Sequence, residues 1–267
     1  MQIADHSGCN WRPLSAWPRC HQQRSGAARS SSRTLSQAYF ETPVFAALIE
    51  LAALLGFRVY IAPFLPNGKP LQVLGFLPAF EGVAKRNAAA LTELRRHGVP
   101  LVGLDPAMTL VYRQEYLKVL DITMPKVLLP QEWLIDSIRP IASASPAIFT
   151  LLTQCTGATN APASASLWGS VFERTGPNLQ VATVGCCGMS GTYGHESRNA
   201  GTSREIFEMA WGRLIAADES ARELLATGYS CRSQAERFGG VRLRHPVEVL
   251  LEHVRIRPFA SGVKSAV

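Results

Sequence analysis

Four cysteines in the second half of the chain have the residue type and spacing of a metal or redox site: Cys155, Cys186, Cys187 and Cys231. Two of them are adjacent in the stretch VATVGCCGMSGTYGHE, where a short apolar strand runs into a turn that contains four glycines. Neighbouring side chains of a strand point to opposite faces. Both thiols can therefore face one site only if the backbone bends, and Gly188 and Gly191 permit that bend.

The chemistry expected of these cysteines is metal binding. Four thiolates are the usual ligand set of a cubane iron–sulfur cluster and also of structural zinc. Two adjacent thiolates suit a cluster, in which each reaches a different iron, better than a single tetrahedral ion. The alternative is that they are buried free thiols that pack as small hydrophobic side chains. Because all four follow predicted strands, we favour a metal or redox role.

Two further groups of residues could take part in chemistry. His195 and Glu196 follow the cysteine turn and could relay protons or contact a substrate, or could simply hydrogen-bond the loop. Lys69 and Asn67 belong to a turn that resembles an anion-binding loop, and Lys69 could meet a substrate carboxylate or a flavin phosphate. The turn lacks the spacing of a P-loop. No Ser-His-Asp order or pair of carboxylates indicates a hydrolase.

The elements that must position these residues alternate between strands and helices. This alternation predicts an α/β fold with largely parallel sheets covered by helices. The two halves also repeat: PFLPNGKP near residue 63 matches GCCGMSGT near residue 186, and VGLDPAMT near residue 102 matches ATGYSCRS near residue 226. We therefore predict two similar lobes, residues 38–138 without cysteines and residues 147–256 with the CCG motif, followed by a tail, 257–267. Loops at the carboxyl ends of parallel strands should bring the four cysteines to one edge.

Composition limits the remaining interpretations. The 267 residues are 47% hydrophobic and carry a net charge of +7, and five arginines against one aspartate in residues 1–37 account for +4 of it. That segment is rich in Ser, Arg and Gly, which predicts a disordered or non-native N-terminal segment. The remainder has no basic stripe, so nucleic-acid binding is not expected. No apolar run predicts a transmembrane segment. Without a signal peptide, the cysteines indicate a reducing, cytoplasmic location, with membrane association only through a partner.

The motifs resemble a known family. Thirty residues separate Cys155 from Cys186-Cys187-Gly188, and Cys231 follows later. This spacing resembles the cysteine-rich CCG domain, which is found in one component of heterodisulfide reductase and in the iron–sulfur component of glycolate oxidase. A closer resemblance is to the C-terminal part of large FAD-linked dehydrogenases of the D-2-hydroxyglutarate and D-lactate type. This resemblance covers residues 38–256 and rests on the stretches PFLPNGKPLQVLGFL, VPLVGLDPAMTLVYRQEY, LPQEWL, VGCCGMSGTYGHE and ATGYSCRSQ.

The resemblance implies a duplicated domain that passes electrons from flavin toward an acceptor through a 4Fe-4S type of centre. Three departures argue against a full two-motif cluster: Gln234 stands where a last cysteine is usual, the gap from Gly188 to Cys231 is longer, and the first half has no cysteines. A single site with three or four Cys ligands, for iron–sulfur or zinc, remains. FAD is expected only on a partner or missing domain, so the chain is expected to be a detached or truncated C-terminal piece that is inactive alone. The alternative is a structural or docking module with zinc-bound or free cysteines.

Overall fold

The strands form two sheets in which every pairing is parallel. The structure, a computed structural model, describes residues 28–31, 41–63, 65–140, 146–217 and 223–256. The strands are β1 (Ala28–Ser31), β2 (Arg58–Ile61), β3 (Leu101–Val102), β4 (Val127–Leu128), β5 (Ile148–Leu152), β6 (Asn178–Ala182) and β7 (Glu223–Ala226). They are ordered β2-β1-β3-β4 in one sheet and β6-β5-β7 in the other. The predicted α/β fold with parallel sheets is confirmed.

Helices connect the strands and cover the sheets. In the first half they are Thr42–Leu54, Lys69–Val73, Leu77–Arg95, Pro106–Arg113, Glu115–Val119 and Pro130–Ser137. In the second half they are Cys155–Asn160, Ser164–Thr175, Ala200–Phe207, Arg213–Ala216, Tyr229–Gly239 and Pro246–Ile256, with a π-helical turn over Glu208–Gly212. None of the helices in the described ranges is both long enough and apolar enough to cross a membrane.

The internal repeat of the sequence is visible in the strand order. In each sheet the first strand of the half, β1 or β5, lies in the middle and pairs with the next two strands along the chain. In the first half, β3 also pairs with β4. In the second half, the corresponding contact is a parallel bridge between Leu225 of β7 and Arg244. Both halves therefore present the loops after their strands at corresponding edges.

One stretch of the predicted N-terminal segment lies among the described residues. The composition of residues 1–37 predicts disorder, but the backbone of Ala28–Ser31 pairs with both β2 and β3. β2 and β3 flank this strand and offer it backbone donors and acceptors on both sides. A polar segment can therefore join the sheet although its sequence has no apolar pattern. The rest of residues 1–37 and the tail 257–267 lie outside the described residues.

The two lobes pack against each other around a shared hydrophobic core. That core includes Leu51 and Trp133 from the first half and Trp168 and Leu250 from the second, all of them buried. Asp105 makes one of the polar contacts that join the two halves close to the cysteines. Asp105 accepts hydrogen bonds from Met108 N (3.1 Å) at the start of its own helix and from Tyr229 N (2.8 Å) in the other lobe.

Asp105 therefore fixes the loop after β3 against the loop after β7. Burial raises the pKa of its carboxyl group, and the backbone hydrogen bonds oppose this rise. The hydrogen-bond contacts of Asp105 are therefore structural.

A second buried polar group, His245, stabilises the start of the last helix. Its Nδ1 accepts a hydrogen bond from Val247 N at 3.1 Å, and its ring packs edge-on against Trp168 with the ring centroids 5.9 Å apart. Burial, reinforced by the nearby charge of Arg232, lowers the pKa of His245 well below 6.5. The imidazole is therefore neutral in the folded protein at neutral pH.

This arrangement predicts acid sensitivity. The unfolded chain takes up a proton at His245 near pH 6.5 and the folded chain does not, so the unfolding free energy should fall by up to about 1.4 kcal/mol per pH unit below that pH. In the variant His245→Asn the side chain can still accept a hydrogen bond at the start of the helix, but it cannot take up a proton. The contribution of residue 245 to the pH dependence of the unfolding free energy should therefore vanish. Urea denaturation at pH 5, 6 and 7 measures both slopes. Equal slopes in the two proteins would contradict the assignment.

Candidate functional site

The four cysteines lie in three loops at the carboxyl edge of the second sheet. Cys155 begins a helix three residues after β5, the adjacent pair follows β6, and Cys231 lies in the first turn of Tyr229–Gly239 after β7. In a parallel sheet these loops leave the same edge, which is why residues so distant in sequence meet here. The structure thus brings together the cysteines that the sequence singles out.

The four thiols lie close together. Cys186 is near both Cys155 and Cys187, and Cys187 is near Cys231, so that these side chains shift one another's pKa values. Cys155 and Cys186 are exposed, whereas Cys187 and Cys231 are buried. The group of four cysteines therefore has one side inside the protein and one side at the surface.

The contacts shift the pKa values of three of these thiols in opposite directions. Hydrogen bonds donated by Cys155, Cys187 and the Gly188 N–H hold the pKa of Cys186 well below its usual range, although burial acts in the opposite direction. The pKa values of Cys155 and Cys187 are raised, first by their hydrogen bonds to Cys186 and then by further sulfur contacts and burial. Cys186 is therefore the first of these three thiols to become a metal-binding thiolate.

Two glycines shape the turn that holds the adjacent cysteines. Gly188 has φ +83° and Gly191 has φ +68°, a left-handed conformation that other residues adopt only with strain. Gly188 N also donates a 3.3 Å hydrogen bond to Cys186 Sγ. A Cβ added to Gly188 would lie 2.2 Å from the carbonyl oxygen of Ser203. The predicted bend is confirmed, and it requires glycine at position 188 for two separate reasons.

Buried polar side chains hold this turn from behind. Gln234 Nε2 donates to Cys187 O at 3.0 Å and to Ser203 Oγ at 2.8 Å, and Ser203 Oγ donates to Gly188 O at 2.9 Å. Trp211, in the π-helical turn, donates through Nε1 to Gly185 O at 3.0 Å. The residue that departs from the expected C-x-x-C pattern, Gln234, thus anchors the backbone of the adjacent cysteines.

The Gln234 contacts predict a measurable stability effect. Gln234→Leu removes the donor to Cys187 O and Ser203 Oγ, and the buried Cys187 carbonyl is then left unpaired, so we expect a loss of about 1–3 kcal/mol. Gln114→Leu is a matched control, because it removes a 3.3 Å hydrogen bond to Asn160 O at a partly exposed site and should cost less. Urea denaturation of both variants compares them, and equal losses would show that Gln234 is not an anchor.

Three supporting residues were not predicted from the sequence: Gln154, Ser203 and Trp211. Gln154 Oε1 accepts from Gly157 N at 2.6 Å and so caps the helix that begins with Cys155. The signal available for Gln154 was its position directly before a helix start, although Gln is not a preferred capping residue. Ser203 and Trp211 carry no local signal, because their partners lie in the cysteine turn.

The Lys69 turn is satisfied by contacts inside the first lobe. Asn67 is buried; its Oδ1 accepts from Lys69 N at 3.1 Å and its Nδ2 donates to Met108 O at 3.1 Å. The ammonium group of Lys69 pairs with Glu115 at 2.9 Å. These contacts account for the shape of the turn, and the cofactor-binding role of Lys69 and Asn67 stays a prediction.

The residues after the cysteine turn also have local partners. His195 ends a 3₁₀ turn and is exposed. The carboxylate of Glu196 pairs with Arg198 at 2.7 Å and accepts from Asn199 Nδ2 at 3.2 Å. Glu196 thus closes its own loop, and a catalytic role for His195 and Glu196 stays a prediction.

The four cysteines offer a donor set made only of sulfur. Among the described residues, no group of three or more His, Cys, Asp or Glu side chains is arranged as a site for a metal ion. Sulfur-only donors favour iron–sulfur or zinc over magnesium or calcium.

Comparison with known proteins gives the chain a set of relatives. No protein-family model matches it. It is 56% identical over 218 residues to the D-2-hydroxyglutarate dehydrogenase of Pseudomonas putida, a match that covers 81% of this chain and 21% of that protein. It is 37% identical over 275 residues to the D-2-hydroxyglutarate dehydrogenase of Escherichia coli K12, covering 94% of this chain and 27% of that protein.

A more distant relative has a different name. The chain is 25% identical over 197 residues to one of the subunits of the anaerobic glycerol-3-phosphate dehydrogenase of E. coli K12, a match that covers 69% of the chain and 48% of that relative. The chain is thus homologous to part of the D-2-hydroxyglutarate dehydrogenases and spans 21–27% of the length of the two compared above. Its assignment to the CCG domain family stays a prediction.

Proposed function

We propose that the chain is the electron-transfer part of an FAD-linked D-2-hydroxyacid dehydrogenase and that Cys155, Cys186, Cys187 and Cys231 bind an iron–sulfur cluster. The observation that carries the proposal is that the four cysteines meet at the carboxyl edge of the second sheet, close enough to shift one another's pKa values. The homology to D-2-hydroxyglutarate dehydrogenases supports the oxidoreductase class.

The residues around the cysteines have distinct tasks in this proposal. A bound cluster would supply one-electron transfer. Cys186 offers the first thiolate, and Gly188 N–H donates to its sulfur, a contact that tunes such centres. Cys187 and Cys231 bind from the buried side, where Gln234 holds the backbone of Cys187. Cys155 and Cys186 lie on the exposed side, through which electrons would enter or leave.

The remaining functions belong to a partner. Because the chain spans only 21–27% of these dehydrogenases, FAD and most of the substrate site would reside in another domain or polypeptide. His195 is exposed beside the cysteine turn and would exchange protons with solvent or substrate, held in place by the loop that Glu196 closes. Lys69 and Asn67 would present an anion-binding turn to that partner.

Reversible redox chemistry tests the proposal. The full chain is incubated anaerobically with ferrous iron and sulfide, desalted, reduced with dithionite and reoxidised in air-free buffer by a dye acceptor. We expect a visible absorption that bleaches on reduction and returns on oxidation. A chain that binds no iron, or binds it without reversible bleaching, would contradict the electron-transfer role.

A second function, a structural or docking module with zinc-bound or free cysteines, is favoured by one observation. Gln234 occupies the position of the usual last cysteine and holds the turn through hydrogen bonds that need no metal. In that case zinc would compete fully with iron for the site, and Cys187→Ser would lower stability without altering electron transfer by the partner. Retention of iron and sulfide in the presence of equimolar zinc would exclude this function.

A further inference from the structure

An apolar segment of the first lobe remains exposed beside the cysteine turn. Residues 73–79, with the sequence VLGFLPA, are all exposed. The exposed fractions are 45% for Val73, 56% for Leu74, 57% for Phe76 and 53% for Leu77. No charged side chain occurs between residues 70 and 80. A contiguous patch of large apolar side chains marks an interaction surface more often than a free surface.

The segment is ordered by its own hydrogen bonds. The helix Lys69–Val73 is followed by Leu74 and then by Gly75, which has φ +81°. Gly75 N donates to Gln72 O, and Phe76 N donates to Leu71 O at 2.9 Å. This glycine-terminated helix end directs the chain outward and holds Leu74, Phe76 and Leu77 at the surface. The apolar surface is therefore preformed and would cost little entropy to bind.

The segment is continuous with the cysteine turn. The position that a Cβ of Gly191 would occupy lies 3.1 Å from Val73 Cγ1. The exposed turn residues 190–193 next to it, Ser-Gly-Thr-Tyr, are also uncharged. A body seated on Leu74, Phe76 and Leu77 would therefore extend toward the exposed side of Cys186.

We propose that residues 73–79 are the docking surface for the part of the dehydrogenase that lies outside this chain, so that this part covers the exposed cysteines; the inference rests on the proposed function. The matched region is 21% of the P. putida relative, so most of that relative's polypeptide is available to cover it. A surface that is apolar and uncharged fits a permanent interface within one enzyme better than a transient, charge-steered encounter.

Side-chain footprinting tests the covering directly. The probe is a full-length P. putida enzyme whose matched segment is replaced by this chain, compared with the chain alone. Hydroxyl radicals should label Phe76 and Leu77 readily in the isolated chain. In the chimera the labelling of these two side chains should be lower by a factor of about three or more. Leu54 is 47% exposed at the end of the helix Thr42–Leu54 and reports general changes in labelling. Equal labelling of Phe76 in both proteins would overturn the proposal.

Variants and counter-partners complete the test. The triple variant Leu74→Ser, Phe76→Ser, Leu77→Ser should restore labelling of the cysteine turn in the chimera, whereas the control Leu54→Ser, Ile256→Ser should not. If the isolated chain forms dimers, or binds vesicles of phosphatidylcholine and phosphatidylglycerol, through these same three residues, the surface serves a second copy or a membrane and the proposal is wrong. The iron content of the chimera is measured separately. If the chimera binds iron but Phe76 is labelled as strongly as in the isolated chain, the docking proposal alone is wrong. If Phe76 is protected from labelling but the chimera binds no iron, the redox role alone is wrong.

Discussion

Replacing Cys186 with Ser should remove at least about nine tenths of the bound iron while the protein stays folded. Cys186 contacts both Cys155 and Cys187 and is the thiol whose pKa is held lowest, so its loss removes the central sulfur of the set. Its side chain is exposed, so the substitution leaves the core intact. Iron per chain after anaerobic reconstitution measures the first effect, and circular dichroism on heating measures the second.

The chain provides its own control for this experiment. Cys20 is outside the described residues and outside the predicted ligand set, so Cys20→Ser should keep the full iron content of the unsubstituted chain. If Cys186→Ser retains iron, or if both variants lose it equally, the four cysteines do not form the site.

Gly188→Ala should produce the largest loss of stability among single methyl additions in the cysteine turn. The left-handed φ of +83° costs an alanine about 1–2 kcal/mol, and the Cβ would lie 2.2 Å from Ser203 O, which must then move at a further cost of about 1–3 kcal/mol. Because Ser203 also bonds Gly188 O and Gln234, its displacement should disturb the turn and lower iron retention as well.

Gly56→Ala separates backbone strain from the clash. Gly56 has the same φ of +83°, but nothing lies within 4 Å of the position its Cβ would take. Its replacement should cost only the conformational part, about 1–2 kcal/mol, and leave iron binding unchanged. Urea denaturation of the two variants measures the difference, and equal destabilisation would show that the Ser203 contact does not matter.

Much of this fold could be predicted because its signals are local or repeated. Alternating apolar segments indicated strands and helices, and the match of PFLPNGKP with GCCGMSGT predicted two similar halves, although it did not predict the order of strands within each sheet. The glycines of the cysteine turn indicated the bend, and parallel topology then placed all three cysteine loops at one edge.

The parts that could not be predicted depend on contacts distant in sequence. β1 has no apolar pattern because backbone pairing to two neighbours holds it. The helices Pro106–Arg113 and Glu115–Val119 are separated at Gln114, where Arg113 pairs with Glu132 and Glu115 pairs with Lys69, and none of these long-range pairs has a local signal in the sequence. The predicted strand into the cysteines ends at Ala182, because the turn is held by Trp211 and Gln234 instead of by strand pairing.

The central claim is that the four cysteines hold an iron–sulfur cluster, and composition analysis of the purified chain tests it most directly. The full chain is purified without oxygen and analysed for iron, zinc and acid-labile sulfide, and its absorption spectrum is recorded. The account predicts iron and sulfide together with a broad band at roughly 400 nm, as thiolate-bound clusters show. Zinc without sulfide, or a colourless chain without metal, would contradict it.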